Sequence, residues 1–127
     1  MILNLTQHPA TPDQVAAGVV EPSAEQKAEI KELLTFNSLP NRGEIERRAS
    51  RLAQLARKIL SERMDLQGQV MIGGAPFLMT SLEKALIEEG LRPLYAFSKR
   101  EVVEEVQGGK VVKKSVFKHA GFVKVGV

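Results

Sequence analysis

Three short stretches hold most of the side chains able to do chemistry. Thr6-Gln7-His8 carries one of only two histidines. An imidazole titrates near neutral pH, so His8 suits general acid or base work in phosphodiester transfer. A histidine that merely orients its loop would occupy the same position. Gly73-Gly74-Ala75 lets backbone approach a ligand closely, and a helix beginning there would offer free N–H groups and a positive dipole end to a phosphate. It is neither a P-loop nor a full dinucleotide fingerprint, and a tight strand-to-helix turn needs the same glycines. Ser98-Lys99-Arg100 adds a hydroxyl, an ammonium point charge and a guanidinium fork, all suited to phosphate oxygens. A solvated strand end, paired with Glu101 or Glu104, is the plainer account.

Other chemistries lack their residues. The chain has no cysteine, so it has no disulfide framework, thiol nucleophile or thiolate metal site. Two histidines are too few for an ordinary zinc site, and no Asp/Glu pair is spaced for metal-assisted hydrolysis. Neither metal nor cofactor is expected. His119 falls in a basic segment after Val116-Phe117-Lys118 and suits a structural or subunit-contact role.

The elements must bring these stretches together. Ile2–Leu5 is a short apolar run, expected to be a central strand rather than a signal peptide, because no basic segment precedes it. Thr11 with Pro12 and Gln14 predicts a capped helix ending near Gly18, and Ser23 with Gln26 repeats the signal. Leu33-Leu34-Thr35-Phe36 fits either the end of that second helix or a strand. From Asn41 to Arg63, Ile45, Ala49, Leu52, Ala53, Ala56, Ile59 and Leu60 form one helical stripe. Arg47, Arg48, Arg51, Arg57 and Lys58 fall on its solvated side.

Gln69–Ile72 reads as a buried strand, Phe77–Glu89 as an amphipathic helix closed by Gly90, and Pro93–Phe97 as the next strand. That is a βαβ unit with parallel strands. Residues 101–106 and 110–117 flank Gly108-Gly109 as a β-hairpin, and Phe122–Val125 fits one more strand. The expected fold is α/β: one Rossmann-like domain over 1–127, a mostly parallel sheet with helices on its faces and a C-terminal β-hairpin. In such a sheet ligands sit beyond the carboxyl ends of the strands. Thr6-Gln7-His8, Gly73-Gly74-Ala75 and Ser98-Lys99-Arg100 each follow a strand, so all three should open onto one edge.

Charge in the last third of the chain suits either a polyanionic partner at close range or a solvated hairpin face. Residues 1–91 carry 10 Lys/Arg against 12 Asp/Glu, whereas residues 92–127 carry 8 against 3. No apolar run approaches the ~18 residues of a membrane span, so no membrane partner is expected, and the expected location is the cytoplasm.

Gly68–Ala75, Gly90–Arg100 and Gly109–His119, with Thr6-Gln7-His8-Pro9 near the start, give the chain a family likeness. It resembles the small stand-alone CRISPR-associated proteins of the Csx type, over about residues 68–124 and again at 1–14. Those families are similar to ring nucleases, which cut cyclic oligoadenylates and so silence type III CRISPR signalling. The resemblance implies a Rossmann-like homodimer, a cyclic tetra- or hexa-adenylate ligand, and no metal. No long DNA or RNA partner is implied. A ribose 2′-hydroxyl attacks the adjacent phosphodiester in that chemistry, and the enzyme supplies geometry and charge stabilisation. The resemblance carries over to His8, Gly74, Ser98, Lys99 and Arg100. Together with the strand-end stretches, the expected catalytic residues are His8, Lys99 and Arg100, and the expected ligand-binding residues are Thr6, Gln7, Gly73, Gly74, Ala75 and Ser98. A catalytically idle sensor or sponge, or a phage-borne relative, would carry the same residues. A two-fold ring suits a two-fold dimer, with the hairpin as interface or lid.

Overall fold

The computed structural model describes residues 1–126. In chain order they form β1 (Ile2–Leu5), α1 (Pro12–Ala16), β2 (Val19–Val20), α2 (Ala24–Leu34), α3 (Arg42–Glu62), β3 (Gln69–Ile72), α4 (Pro76–Glu88), β4 (Arg92–Gln107) and β5 (Lys110–Lys124). The helix starts follow from their caps. Thr11 and Gln14 close one reciprocal box, Ser23 and Gln26 another, and the Asn41 side chain accepts from the Glu44 N–H at 2.8 Å. The α3 stripe is buried as its spacing predicts, from Ala49 to Leu60. Leu33 and Leu34 end α2, with Leu34 buried against the core, and the second strand is the short Val19–Val20 instead.

One five-stranded sheet has the order β2-β1-β3-β4-β5. The expected parallel neighbours are present: Leu3 lies beside Val70, and Met71 beside Leu94. The sheet as a whole is nevertheless mixed, which corrects the expectation of a mostly parallel one. β4 and β5 pair antiparallel from Leu94↔Lys124 out to Gln107↔Lys110, a ladder longer than the three parallel ones together. The strand expected to stop at Phe97 does not stop, because nothing between Phe97 and Glu101 breaks extended backbone. Strand, hairpin and terminal strand are therefore one continuous pair. Gly108 and Gly109, at φ 57° and 78°, make the two-residue turn whose twist matches it.

Helices lie on both faces as expected, but unequally: α2, α3 and α4 cover one, and the short α1 lies beside the other. Leu3, Leu5, Val70 and Ile72 pack with buried residues of α2, α3 and α4 in a single main core. The opposite face holds a small second cluster of Ile2, Val19, Met71 and Leu94, covered in part by Ala10 and Phe122. The remaining helix, α1, contributes nothing to the main core; it is five residues long and buries none of them. Among the described residues, no helix is long and apolar enough to cross a membrane.

Candidate functional site

Beyond the carboxyl ends of β1 and β3 lies an open crevice of about 430 Å³. Thr6, Gln7 and His8 form one wall, Gly73 and Gly74 another, and Tyr95 and Ala96 of β4 close the side. Two of the three stretches singled out from sequence therefore do meet. A smaller hollow between α3 and α4, of about 230 Å³, mixes Glu46 and Glu88 with Lys84 and holds none of these residues.

The histidine loop is fixed from below by Asn4, a buried polar side chain on β1. Its Oδ1 accepts from the Thr6 N–H at 3.0 Å and from the Thr6 hydroxyl at 2.7 Å. Its Nδ2 donates to the His8 carbonyl at 2.8 Å and to the Glu21 carboxylate. Glu21 is held in turn by Lys27 at 3.3 Å. A buried amide with every group partnered fixes backbone geometry, because breaking any one bond strands a desolvated atom. His8 projects from this clamped loop as an exposed residue. Gln7, by contrast, is occupied: its Nε2 donates to Thr35 Oγ1 at 3.1 Å, tying the loop to the end of α2. Arg48 secures that same end. Its Nη1 donates to the Thr35 carbonyl at 2.6 Å, and its guanidinium stacks 4.2 Å from the Phe36 ring centroid.

The glycine wall leads into α4. Gly74 sits at φ 153°, where an added Cβ would also meet Met79 Cε at 3.4 Å, so a side chain there is strained. Ala75 is the N-cap and Pro76 opens the helix, with no side chain capping the first turn. The start of α4 follows the crevice wall by one residue, with the Leu78 N–H already bonded to the Ala75 carbonyl at 3.0 Å. Tyr95 donates its hydroxyl to Glu83 of α4 at 2.7 Å. Burial, and then that carboxylate, push the phenol above its ordinary range, so it remains a neutral donor.

Ser98, Lys99 and Arg100 do not line the crevice. They stand just past it on β4, after the irregularity between Phe97 and Ser98, and all three are exposed. Lys99 pairs across the ladder with Lys118, and the Arg100 guanidinium lies 5.7 Å from the Phe117 ring centroid. His119 pairs with Ser98 and tilts against Phe122 at 4.8 Å, and its buried Nδ1 has no hydrogen-bond partner. Among the described residues, no three His, Cys, Asp or Glu side chains gather as a metal site. Asn4 is the site residue that sequence reasoning passed over. Its signal was present: a lone amide inside the apolar run Ile2-Leu3-Asn4-Leu5.

The fold and crevice define a small α/β protein with a ligand-sized opening at the carboxyl edge of a mixed sheet. A family model described as the Uncharacterized protein MJ1673 family matches residues 1–123, and the chain belongs to that family. No curated protein and no solved structure matches it.

Proposed function

We propose that the protein is a metal-independent ring nuclease, cleaving cyclic tetra- or hexa-adenylate in the cytoplasm as part of type III CRISPR signalling. The observation that carries the reading is the crevice. It sets a histidine on a clamped loop opposite a glycine turn and an uncapped helix start, with a basic segment directly beyond its β4 wall. The β2-β1-β3-β4 portion, taken alone, is read as a Rossmann-like half-sheet, whose ligands belong at this edge. The likeness of residues 68–124 and 1–14 to the Csx-type proteins points the same way.

In this reading a phosphate rests against Gly73, Gly74 and Ala75 at the start of α4. A ribose 2′-oxygen bonds to the neighbouring phosphorus as the bond to the 5′-oxygen breaks. The proton lost by the 2′-hydroxyl is matched by one gained at the 5′-oxygen, His8 serving as general base or acid. The products end in a 2′,3′-cyclic phosphate and a 5′-hydroxyl. A ring of four nucleotides overhangs the crevice, and Ser98, Lys99 and Arg100 meet phosphates on the overhanging part. A second reading, a non-catalytic sensor or sponge for the same ring, is favoured by the distance of Lys99 and Arg100 from the crevice lining. A single experiment separates the two. Labelled cyclic tetra- and hexa-adenylate are incubated with the protein and excess EDTA, and the products are resolved. Linear product supports the nuclease. Binding without turnover leaves the sensor, and no binding of either ring overturns both.

A further inference from the structure

Past the crevice, β4 and β5 leave the sheet as a two-stranded ribbon, and none of residues 98–118 is buried. A two-stranded ribbon with nothing packed on it is marginal in water. One of its faces is also unusually apolar for a solvated surface: Val102, Val106, Val111 and Phe117 are 64%, 75%, 64% and 74% exposed. The register places these on one side. Cross-strand partners share a face, so Arg100 with Phe117, Val102 with Ser115, Glu104 with Lys113, and Val106 with Val111 all point the same way. The reverse face pairs Lys99 with Lys118 and carries Val103, Val112 and Val116 among Glu101, Glu105, Lys110 and Lys114.

We propose that the Phe117 face of the ribbon docks on the same face of a second copy of this chain, about a twofold axis running along the ribbon. The argument is the pattern itself. Such an axis lays β4 of one copy over β5 of the other with both turns at the same end. Each cross-strand pair within a chain then becomes a facing pair between chains. Arg100 meets the second copy's Phe117, Glu104 meets its Lys113, and Val106 meets its Val111. One cation–π pair, one ion pair and one apolar pair are thus made twice over. An axis across the ribbon would instead set acidic β4 on acidic β4. The reverse face would set Lys99 against Lys118. Side-by-side pairing of two β5 edges is opposed by lysines 110, 113, 114, 118 and 124. With the axis along the ribbon, β3, β1 and β2 of the two copies extend to opposite sides. The same rotation carries the second copy's lysine-bearing β5 to the side of the first copy's crevice. The inference rests on the ribbon's register, not on the ring-nuclease reading.

The test is sedimentation of the whole chain with charge-swapped variants. Wild type is expected to sediment as a dimer. Glu104→Lys or Lys113→Glu alone should weaken self-association about tenfold or more, since each sets like charges face to face twice. An equimolar mixture of the two variants should recover the dimer, because the introduced lysine of one chain then faces the introduced glutamate of the other. A wild type that stays monomeric overturns the proposal, as does a dimer indifferent to both changes. Weakening that mixing does not repair also overturns it, because damage within one hairpin cannot be mended by a second chain. Should either variant lose its hairpin by circular dichroism, Val106→Glu and Val111→Lys repeat the test one rung nearer the turn, with the same outcomes.

Discussion

Leu94 and Val106 lie on the same strand and the same face, yet they are 1% and 75% exposed. Between those two residues β4 passes from the sheet body to the ribbon. In the body every strand has a neighbour on each side or a core beneath it, and three helices seal one face. In the ribbon the strands have only each other. The contrast shows that alternation of apolar and polar residues sets strand register but not burial. The ribbon repeats Val every few positions as a body strand would, yet among the described residues no helix covers it. Body and ribbon should therefore answer differently to substitution.

The largest expected effect divides the chemistry between them. If the crevice turns over a cyclic oligoadenylate, His8→Ala in the body should slow turnover by roughly 10²–10⁴ with binding largely kept. Lys99→Ala or Arg100→Ala at the root of the ribbon should instead weaken binding by about 1–3 kcal/mol each. Single-turnover rates and equilibrium titration with the labelled ring read the two separately. A His8→Ala loss that appears equally in affinity would make the imidazole a loop-orienting group and erase the division.

Stability should divide the same way. Leu82 is fully buried among the helices of the main core, so Leu82→Ala should cost about 2–5 kcal/mol. Val106→Ala should change the folding stability of the isolated chain by less than about 0.5 kcal/mol. Urea unfolding of both variants at low protein concentration makes the measurement. A comparable loss from Val106→Ala would mean that the ribbon is packed within a single chain after all.

Asn4→Ala comes next, at about 1–3 kcal/mol, because the Thr6 N–H and the Glu21 carboxylate lose a buried partner. The loss should be local as well as global. Hydrogen exchange at the Thr6 amide should quicken by more than the fall in overall stability predicts, whereas amides of the ribbon should follow their wild-type pattern.

Much of the body was legible beforehand, for a physical reason in each case. Ser23 and Gln26 announce a helix because two side chains can satisfy two orphan N–H groups only in that geometry. The α3 stripe is long enough that no other period fits it. The crevice followed from two strand ends, since parallel β1 and β3 carry Thr6-Gln7-His8 and Gly73-Gly74 to one edge. What escaped was decided over distance. Ser98-Lys99-Arg100 reads as a strand end when hydrophobicity falls, but backbone pairing with β5 does not need hydrophobic side chains, so β4 runs on. That all three long helices would pack on one face depends on how the crossovers pass over the sheet, and no local residue records it. Asn4 was visible in the sequence, but its partner Glu21 lies seventeen residues away, and only the fold joins them.

A smaller effect than that of Asn4→Ala is expected where the two regions meet. Tyr95 is the β4 residue that packs against the main core and donates to Glu83 of α4. It anchors the strand just before the ribbon departs. Tyr95→Phe keeps the ring and removes that hydrogen bond, so it should cost about 1 kcal/mol near neutral pH. The contribution should also depend on pH. Burial and Glu83 raise the folded phenol above its unfolded value near 10. Below about pH 10 both states hold the proton and the contribution is complete. As pH rises through 10 the unfolded chain releases its proton first, so the folded state loses ground. The stability gap between wild type and Tyr95→Phe should therefore be constant from neutral pH to about 9 and shrink above 10. Thermal unfolding of both proteins across that range makes the comparison. A gap that stays level past pH 10 would mean the folded phenol ionises as readily as the unfolded one, against both its burial and its bond to Glu83.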